Sequence, residues 1–115
     1  MPENRPLVYL ACPYSHESLS VMELRFHAVN RVAAKLMGQG LLMFSPISHT
    51  HPIAVAGNLP KGFDFWEKYD RAVLSCCGRV IVLMVPGWET STGVQAEIRI
   101  SQAMGIPIEY MTQDF

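Results

Sequence analysis

Between two apolar runs lies Glu89-Thr-Ser-Thr-Gly-Val-Gln-Ala-Glu97, the stretch whose residue types and spacing best fit chemistry. It follows the strand-like run Arg79-Val-Ile-Val-Leu-Met-Val85 and opens a helix-like run that ends at Gly105. A hydroxyl-rich turn containing glycine, set between a strand and a helix, offers free backbone N–H groups and the positive end of a helix dipole. Such a turn, here Ser91, Thr92 and Gly93, suits an anion such as phosphate. Glu97 follows one helical turn later, and helical side chains lean toward the N-terminus, so its carboxyl points back at the same crevice. An acid placed beside an anion site asks for a chemical reason.

The elements that must hold these groups can be read from periodicity and punctuation. Leu7–Ala11, bounded by Pro6 and Pro13, has the length and composition of a buried first strand. Ser20-x-x-Glu23 is a capping box, and Leu19, Met22, Phe26, Val29, Ala33 and Leu36 recur at helical spacing until Gly38 and Gly40. Leu41–Phe44 reads as a second strand. From Ser45 to Gly62 prolines and glycines interrupt every period, which predicts a binding loop or lid. Asp64-x-x-Glu67 opens another helix, with Phe65, Tyr69, Val73 and Cys76 on one face. A strand over Val80–Val85, a helix over Thr92–Met104 capped by Thr92-x-x-Gln95, and a strand over Pro107–Met111 complete the order.

Alternation of this kind predicts the α/β class: a three-layer, doubly wound parallel sheet of four or five strands, flavodoxin-like, forming one domain over residues 1–115. In such sheets ligands gather at the carboxyl ends of the strands, near the point where strand order reverses. The first strand end brings Tyr9, Cys12, Pro13, Tyr14 and Ser15 to that crest. The second brings Ser45, His49 and His51, and the third brings Trp88, Ser91, Thr92, Gly93 and Glu97. Asp70, on the middle helix, adds a second carboxyl.

Composition narrows the function classes. At 115 residues, half of them apolar and 17% charged, the chain is long enough for one sizeable core and too hydrophobic for disorder. A net charge of -1 with no basic stripe argues against binding a nucleic-acid polymer. Three cysteines, two of them adjacent, do not make a disulfide framework, which predicts a reducing, cytoplasmic setting. The N-terminal residues lack the charged-then-apolar pattern of a secretory signal, and the longest apolar run, Val80–Pro86, is far too short to span a membrane.

With these residues in place, Val8-Tyr-Leu-Ala-Cys-Pro-Tyr14, Asp70, Gly93-x-x-x-Glu97 and the ending Ala103-Met-Gly-Ile-Pro107 together resemble the nucleoside 2-deoxyribosyltransferase superfamily. Within it the chain is similar to a small bacterial branch of uncharacterised function. The resemblance implies a nucleoside deoxyribosyltransferase-like domain that cleaves or exchanges the N-glycosidic bond of a (deoxy)nucleoside or nucleoside 5′-monophosphate. It implies that Glu97 attacks the anomeric carbon, as the nucleophilic carboxylate of a retaining glycosidase does, and that water or a second base resolves the glycosyl-enzyme. It further implies that Tyr9 orients Glu97, that Asp70 holds the sugar or assists proton transfer, and that no metal or organic cofactor is used. Partners implied are a small-molecule nucleoside or nucleotide and further copies of the chain, in a dimer or tetramer whose neighbouring subunit closes the pocket. The tail Met111–Phe115 could reach that neighbour.

Two departures from the family pattern stand out. Ser91 occupies a place where many members carry an aspartate, and the nucleoside 5′-monophosphate glycosidase branch has there a serine that holds phosphate. Gly78 stands where many members carry an acid, which favours an alternative: a non-catalytic nucleotide-binding or sensing module on the same fold. The remaining polar and aromatic residues have plainer readings. Glu97 and Asp70 could be solvated helix carboxylates, the latter between Lys68 and Arg71. Tyr9 could be a core phenol with a hydrogen-bond partner. His49-Thr-His51 lacks the fixed-spacing partners of a zinc site and fits better a hydrogen bond to ligand. Cys12 has no activating base, and the pair Cys76–Cys77 reads as buried packing. Of Phe63, Phe65, Trp66 and Trp88, the last is the expected stacking platform for a base.

Overall fold

In the computed structural model, which describes residues 4–112, four parallel strands form one sheet in the order β2-β1-β3-β4. They are β1 (Leu7–Ala11), β2 (Leu42–Phe44), β3 (Cys77–Leu83) and β4 (Ile108–Met111). Tyr9 of β1 stands opposite Phe44 on one side and Val80 on the other, and Leu83 of β3 pairs with Met111. The helices are α1 (Leu19–Gly38), α2 (Pro46–Gly57), α3 (Phe63–Leu74) and α4 (Thr92–Ala103), with a single 3-10 turn at Trp88–Thr90. The chain is thus α/β, a parallel sheet covered by helices on both faces, as in flavodoxin-like folds. Residues 113–115, the end of the tail expected to reach a neighbour, lie outside the described residues.

The three layers follow from alternation along the strands. Successive strand residues face opposite ways, and β1 divides accordingly. Val8, Leu10 and Cys12 join Val29, Val32, Ala33 and Leu36 of α1 and Ile47 of α2 in one core. Tyr9 and Ala11 join Leu74 of α3 and Val94, Ile98 and Ile100 of α4 in the other. Leu10 and Leu74 are wholly buried; truncating either to alanine costs about 2–5 kcal/mol.

Several boundaries differ from the sequence reading, each for a local reason. The cap of α1 is Ser18, whose hydroxyl accepts from the Val21 amide, rather than Ser20, and Leu19 is exposed. The cap of α4 is likewise one residue earlier, Ser91, bonded to the Val94 amide at 3.2 Å. The buried stripe of α3 is Asp70 and Leu74, whereas Phe65 and Tyr69 stay exposed, so the true face is turned from the expected one. Cys77 begins β3 and is buried, while Cys76 is exposed.

The largest difference is α2, where a loop was expected. Ser45 caps it through the Ser48 amide at 3.3 Å, Pro46 fills its first position, and Asn58 closes it in the left-handed conformation at φ 53°. Ile47, His51 and Ala54, its buried residues after Pro46, do recur at helical spacing. A histidine in the middle position hid that period, and Pro52, which reads as an interruption, lies on the exposed side.

Candidate active site

Strand order reverses between β1 and β3, and the crevice outside their carboxyl ends is a cleft of about 720 Å³. The loop after β1 contributes Cys12, Tyr14 and Ser15, and the segment after β3 contributes Gly87 and Thr90 to Gly93. Asp70 of α3 and Glu97 of α4 form part of its lining.

Glu97 is 5% exposed and accepts a short hydrogen bond from the Tyr9 hydroxyl. Tyr9 has no exposure at all, and burial together with the neighbouring Glu97 and Asp70 charges raises its phenol well above the usual range, so it remains a donor. Asp70, 8% exposed, interacts with both Glu97 and Tyr9. Burial pushes its carboxyl up to about 6, against the pull of its hydrogen bonds. Glu97 is raised well above the ordinary carboxylate range, first by burial and then by the Asp70 charge, although the Tyr9 hydroxyl works the other way. Burial and mutual repulsion both work against ionising these two carboxyls at once.

The amino end of α4 opens on the same cleft. The Ser91 hydroxyl is used as an acceptor by the Val94 amide, which leaves its own proton free to donate. Thr92 and Gly93 stand at the first two helical positions, whose amides have no partner within a helix. A Cβ at Gly93 would meet the Phe63 ring at 3.3 Å, so any larger residue there has to push that ring aside.

Sequence reasoning missed the cations. Arg25 of α1 spans both rims, donating to the Ser15 carbonyl at 3.0 Å and to the Pro86 carbonyl at 3.2 Å. Its Nε is buried without a partner. It passes so close to Gly87, whose φ is +96°, that a Cβ there would lie 2.6 Å from the guanidinium. Lys61 also lines the cleft, its carbonyl accepting from Ser15.

Other expected site residues fall elsewhere. Ser45 caps α2 and bonds the Ser48 hydroxyl at 2.8 Å. His49 leaves the cleft for a shallower groove beside Tyr69, its ring 6.2 Å from that phenol. His51 is buried behind the cleft wall, bonded to Tyr14 and Glu23. Pro13 is buried under the β1 loop. Trp88 packs on Tyr110 at 5.7 Å and against the core, so Phe63 and Trp66 join Tyr14 as aromatic rings of the cleft wall instead. Cys12 lines the cleft, but burial raises its thiol to about 12, which disarms it as a nucleophile. Among the described residues no group of three His, Cys, Asp or Glu side chains could hold a metal ion. Gly78 is the second residue of β3, about 16 Å from the cleft end of the strand, so a side chain missing there does not deplete the cleft.

The chain belongs to a family described as a domain of unknown function (DUF1937), whose model matches residues 6–113. No curated protein matches the sequence. No helix among the described residues is long and apolar enough to cross a membrane.

Proposed function

We propose that the protein cleaves or exchanges the N-glycosidic bond of a nucleoside 5′-monophosphate, with Glu97 as the nucleophile. One observation carries this reading: a buried carboxyl, held by the Tyr9 hydroxyl with the buried Asp70 beside it, faces a cleft rimmed by a helix amino end. A buried anion aimed by a phenol suits attack on an electrophilic sugar carbon, and it gains reactivity from having been stripped of water. When Asp70 is the protonated member of the pair, Glu97 carries the charge and can form an ester with C1′. Asp70 then sets the charge state of the nucleophile and approaches the sugar. Phosphate fits the Ser91–Gly93 amides, with Arg25 and Lys61 near by, and the base fits between Phe63 and Trp66. This arrangement agrees with the resemblance to nucleoside 2-deoxyribosyltransferases and with a serine at position 91.

The free cysteines at 12, 76 and 77 support a reducing, cytoplasmic setting. Exposed Ile53, Phe65 and Tyr69 support assembly into a dimer or tetramer, which sedimentation would measure. The test of function is incubation with deoxynucleoside 5′-monophosphates, followed by chromatography for free base. Release of base that disappears in Glu97→Ala upholds the reading. A second reading, binding without chemistry, is favoured by the high proton affinity of Glu97, since a neutral acid does not attack. A thermal shift with these nucleotides but no base release would select it.

A further inference from the structure

A leaving purine needs a proton as it departs, and Asp70 is already engaged with Glu97 and Tyr9. Both carboxyls are buried, and the groups they interact with, each other and Tyr9, are buried as well. A different line of groups does run from solvent to the cleft. Glu23 of α1, its side chain 51% exposed, accepts from Nε2 of His51 at 2.6 Å. His51 Nδ1 meets the Tyr14 hydroxyl at 2.5 Å, and Tyr14 lines the same cleft as Glu97. His51 is 5% exposed, its ring held 4.4 Å from that of Phe26.

The chemistry of this line follows from its donors. A carboxylate only accepts, so Nε2 carries hydrogen and Nδ1 is the ring position that exchanges protons with Tyr14. With the ring neutral, Tyr14 donates to Nδ1. With the ring protonated, Nδ1–H donates to the phenol oxygen and the Tyr14 hydrogen is turned toward the cleft. A carboxylate, a buried imidazole and a hydroxyl in a row, ending at a cleft, are the parts of a proton relay.

We propose that Tyr14 is the general acid and base of the reaction, fed by His51 and Glu23; this rests on the glycosidic reading above. In the first half, a Glu97 oxygen bonds to C1′ as the C1′–N bond breaks, its electron pair leaving with the base. The base takes the Tyr14 proton, and Tyr14 takes the Nδ1 proton, leaving His51 neutral and no phenolate formed. In the second half, water attacks C1′ and the ester electron pair returns to Glu97. The water proton passes to Tyr14 as the Tyr14 proton returns to Nδ1. One group serves as acid and then as base, as a double displacement requires. Burial and the Glu23 charge both raise the Tyr14 phenol, in keeping with a group that never rests as an anion.

A structural stitch between α1, α2 and the β1 loop would use the same three side chains, so the test must read proton transfer rather than integrity. Wild type, Tyr14→Phe, His51→Asn and Glu23→Gln are assayed for single-turnover release of base, which reads the first half alone, on deoxyguanosine 5′-monophosphate and on its 7-methylated form. The methylated base leaves as a neutral molecule and needs no proton. Tyr14→Phe and His51→Asn are expected to lose about 100-fold on the unmethylated nucleotide and under about threefold on the methylated one. Glu23→Gln, half-exposed and able to keep its hydrogen bond, is expected to lose about tenfold on the first alone. Equal losses on both nucleotides, or none on either, overturn the relay while leaving the nucleophile in place. Wild-type protein that releases base from neither overturns the glycosidic reading and the relay with it.

Discussion

Charges at the cleft and charges at the sheet edge keep different company. On the edge, Arg79 of β3 pairs with Glu109 of β4, opposite in sign and with side chains 37% and 56% exposed. In the cleft, Glu97 faces Asp70, alike in sign and buried, and what holds their proton is burial and each other. Arg25, the cation that lies over the cleft, bonds carbonyls of both rims and leaves its Nε unmatched. Folding alone would favour the edge arrangement, since paired surface ions cost little and buried like charges cost much. A domain that retains the costly arrangement where it lines a cleft has a reason for it other than stability.

The largest way to break this contrast is to remove the buried nucleophile. Glu97→Ala is expected to lower turnover of a deoxynucleoside monophosphate by about a thousandfold, roughly 4 kcal/mol of barrier, measured as free base released per enzyme. Turnover within about threefold of wild type would reduce Glu97 to a buried acid without a task. Next in size is Gly87→Ala. Its backbone sits at φ +96° and its added carbon would collide with the Arg25 guanidinium. About 1–3 kcal/mol of stability should be lost, together with affinity for the phosphate-bearing nucleotide more than for the nucleoside. Equal loss of affinity for both would disconnect Arg25 from the phosphate.

Replacing the charge while keeping the shape tests the cost directly. Both carboxyls bind protons more tightly folded than unfolded, Asp70 up to about 6 and Glu97 well above the ordinary carboxylate range. Their contribution to stability is therefore full below about pH 4, where the unfolded chain is also protonated. It is lost as pH rises through 6 and beyond. Glu97→Gln accepts the same Tyr9 hydroxyl without ionising. Its melting temperature should match wild type near pH 4 and exceed it at pH 8 by about 4 °C, near 1 kcal/mol in a domain of this size. A difference that does not change with pH would mean that the pair is not under electrostatic strain.

Much of this arrangement is legible in the residues themselves. The strand Leu7–Ala11 is bounded by prolines and matches residue for residue, and the parallel three-layer class follows from strict alternation of short apolar runs with helical ones. Glu97, Ser91, Thr92 and Gly93 were placed together because a helix start fixes their directions. Contacts that depend on how helices roll were not legible. The buried stripe of α3 includes an aspartate, so a hydrophobic period points to the wrong face, and α2 hides its period behind His51. Trp88 was misplaced because a ring on a loop can turn either to the cleft or to Tyr110, and only tertiary packing decides. Arg25 lies far from the cleft residues in sequence, and its bonds go to backbone carbonyls, which no side-chain pattern announces.

The smallest expected effect sits on the other side of the contrast. Arg79 and Glu109 meet across two adjacent strands at the rim of the sheet, and solvent screens them. Arg79→Ala should cost about 0.2–1 kcal/mol, shrink further in high salt, and leave base release unchanged. The value of so small an effect lies in its salt dependence. An exposed pair weakens as ions are added, whereas the pH-dependent gain of Glu97→Gln, arising in a site shielded from ions, should persist at the same ionic strength. Thermal melts of both variants in low and high salt make the comparison. Were the Glu97→Gln gain to vanish with salt as the Arg79→Ala loss does, the cleft would have to be as wet as the edge, and a desolvated nucleophile would be the wrong description of Glu97.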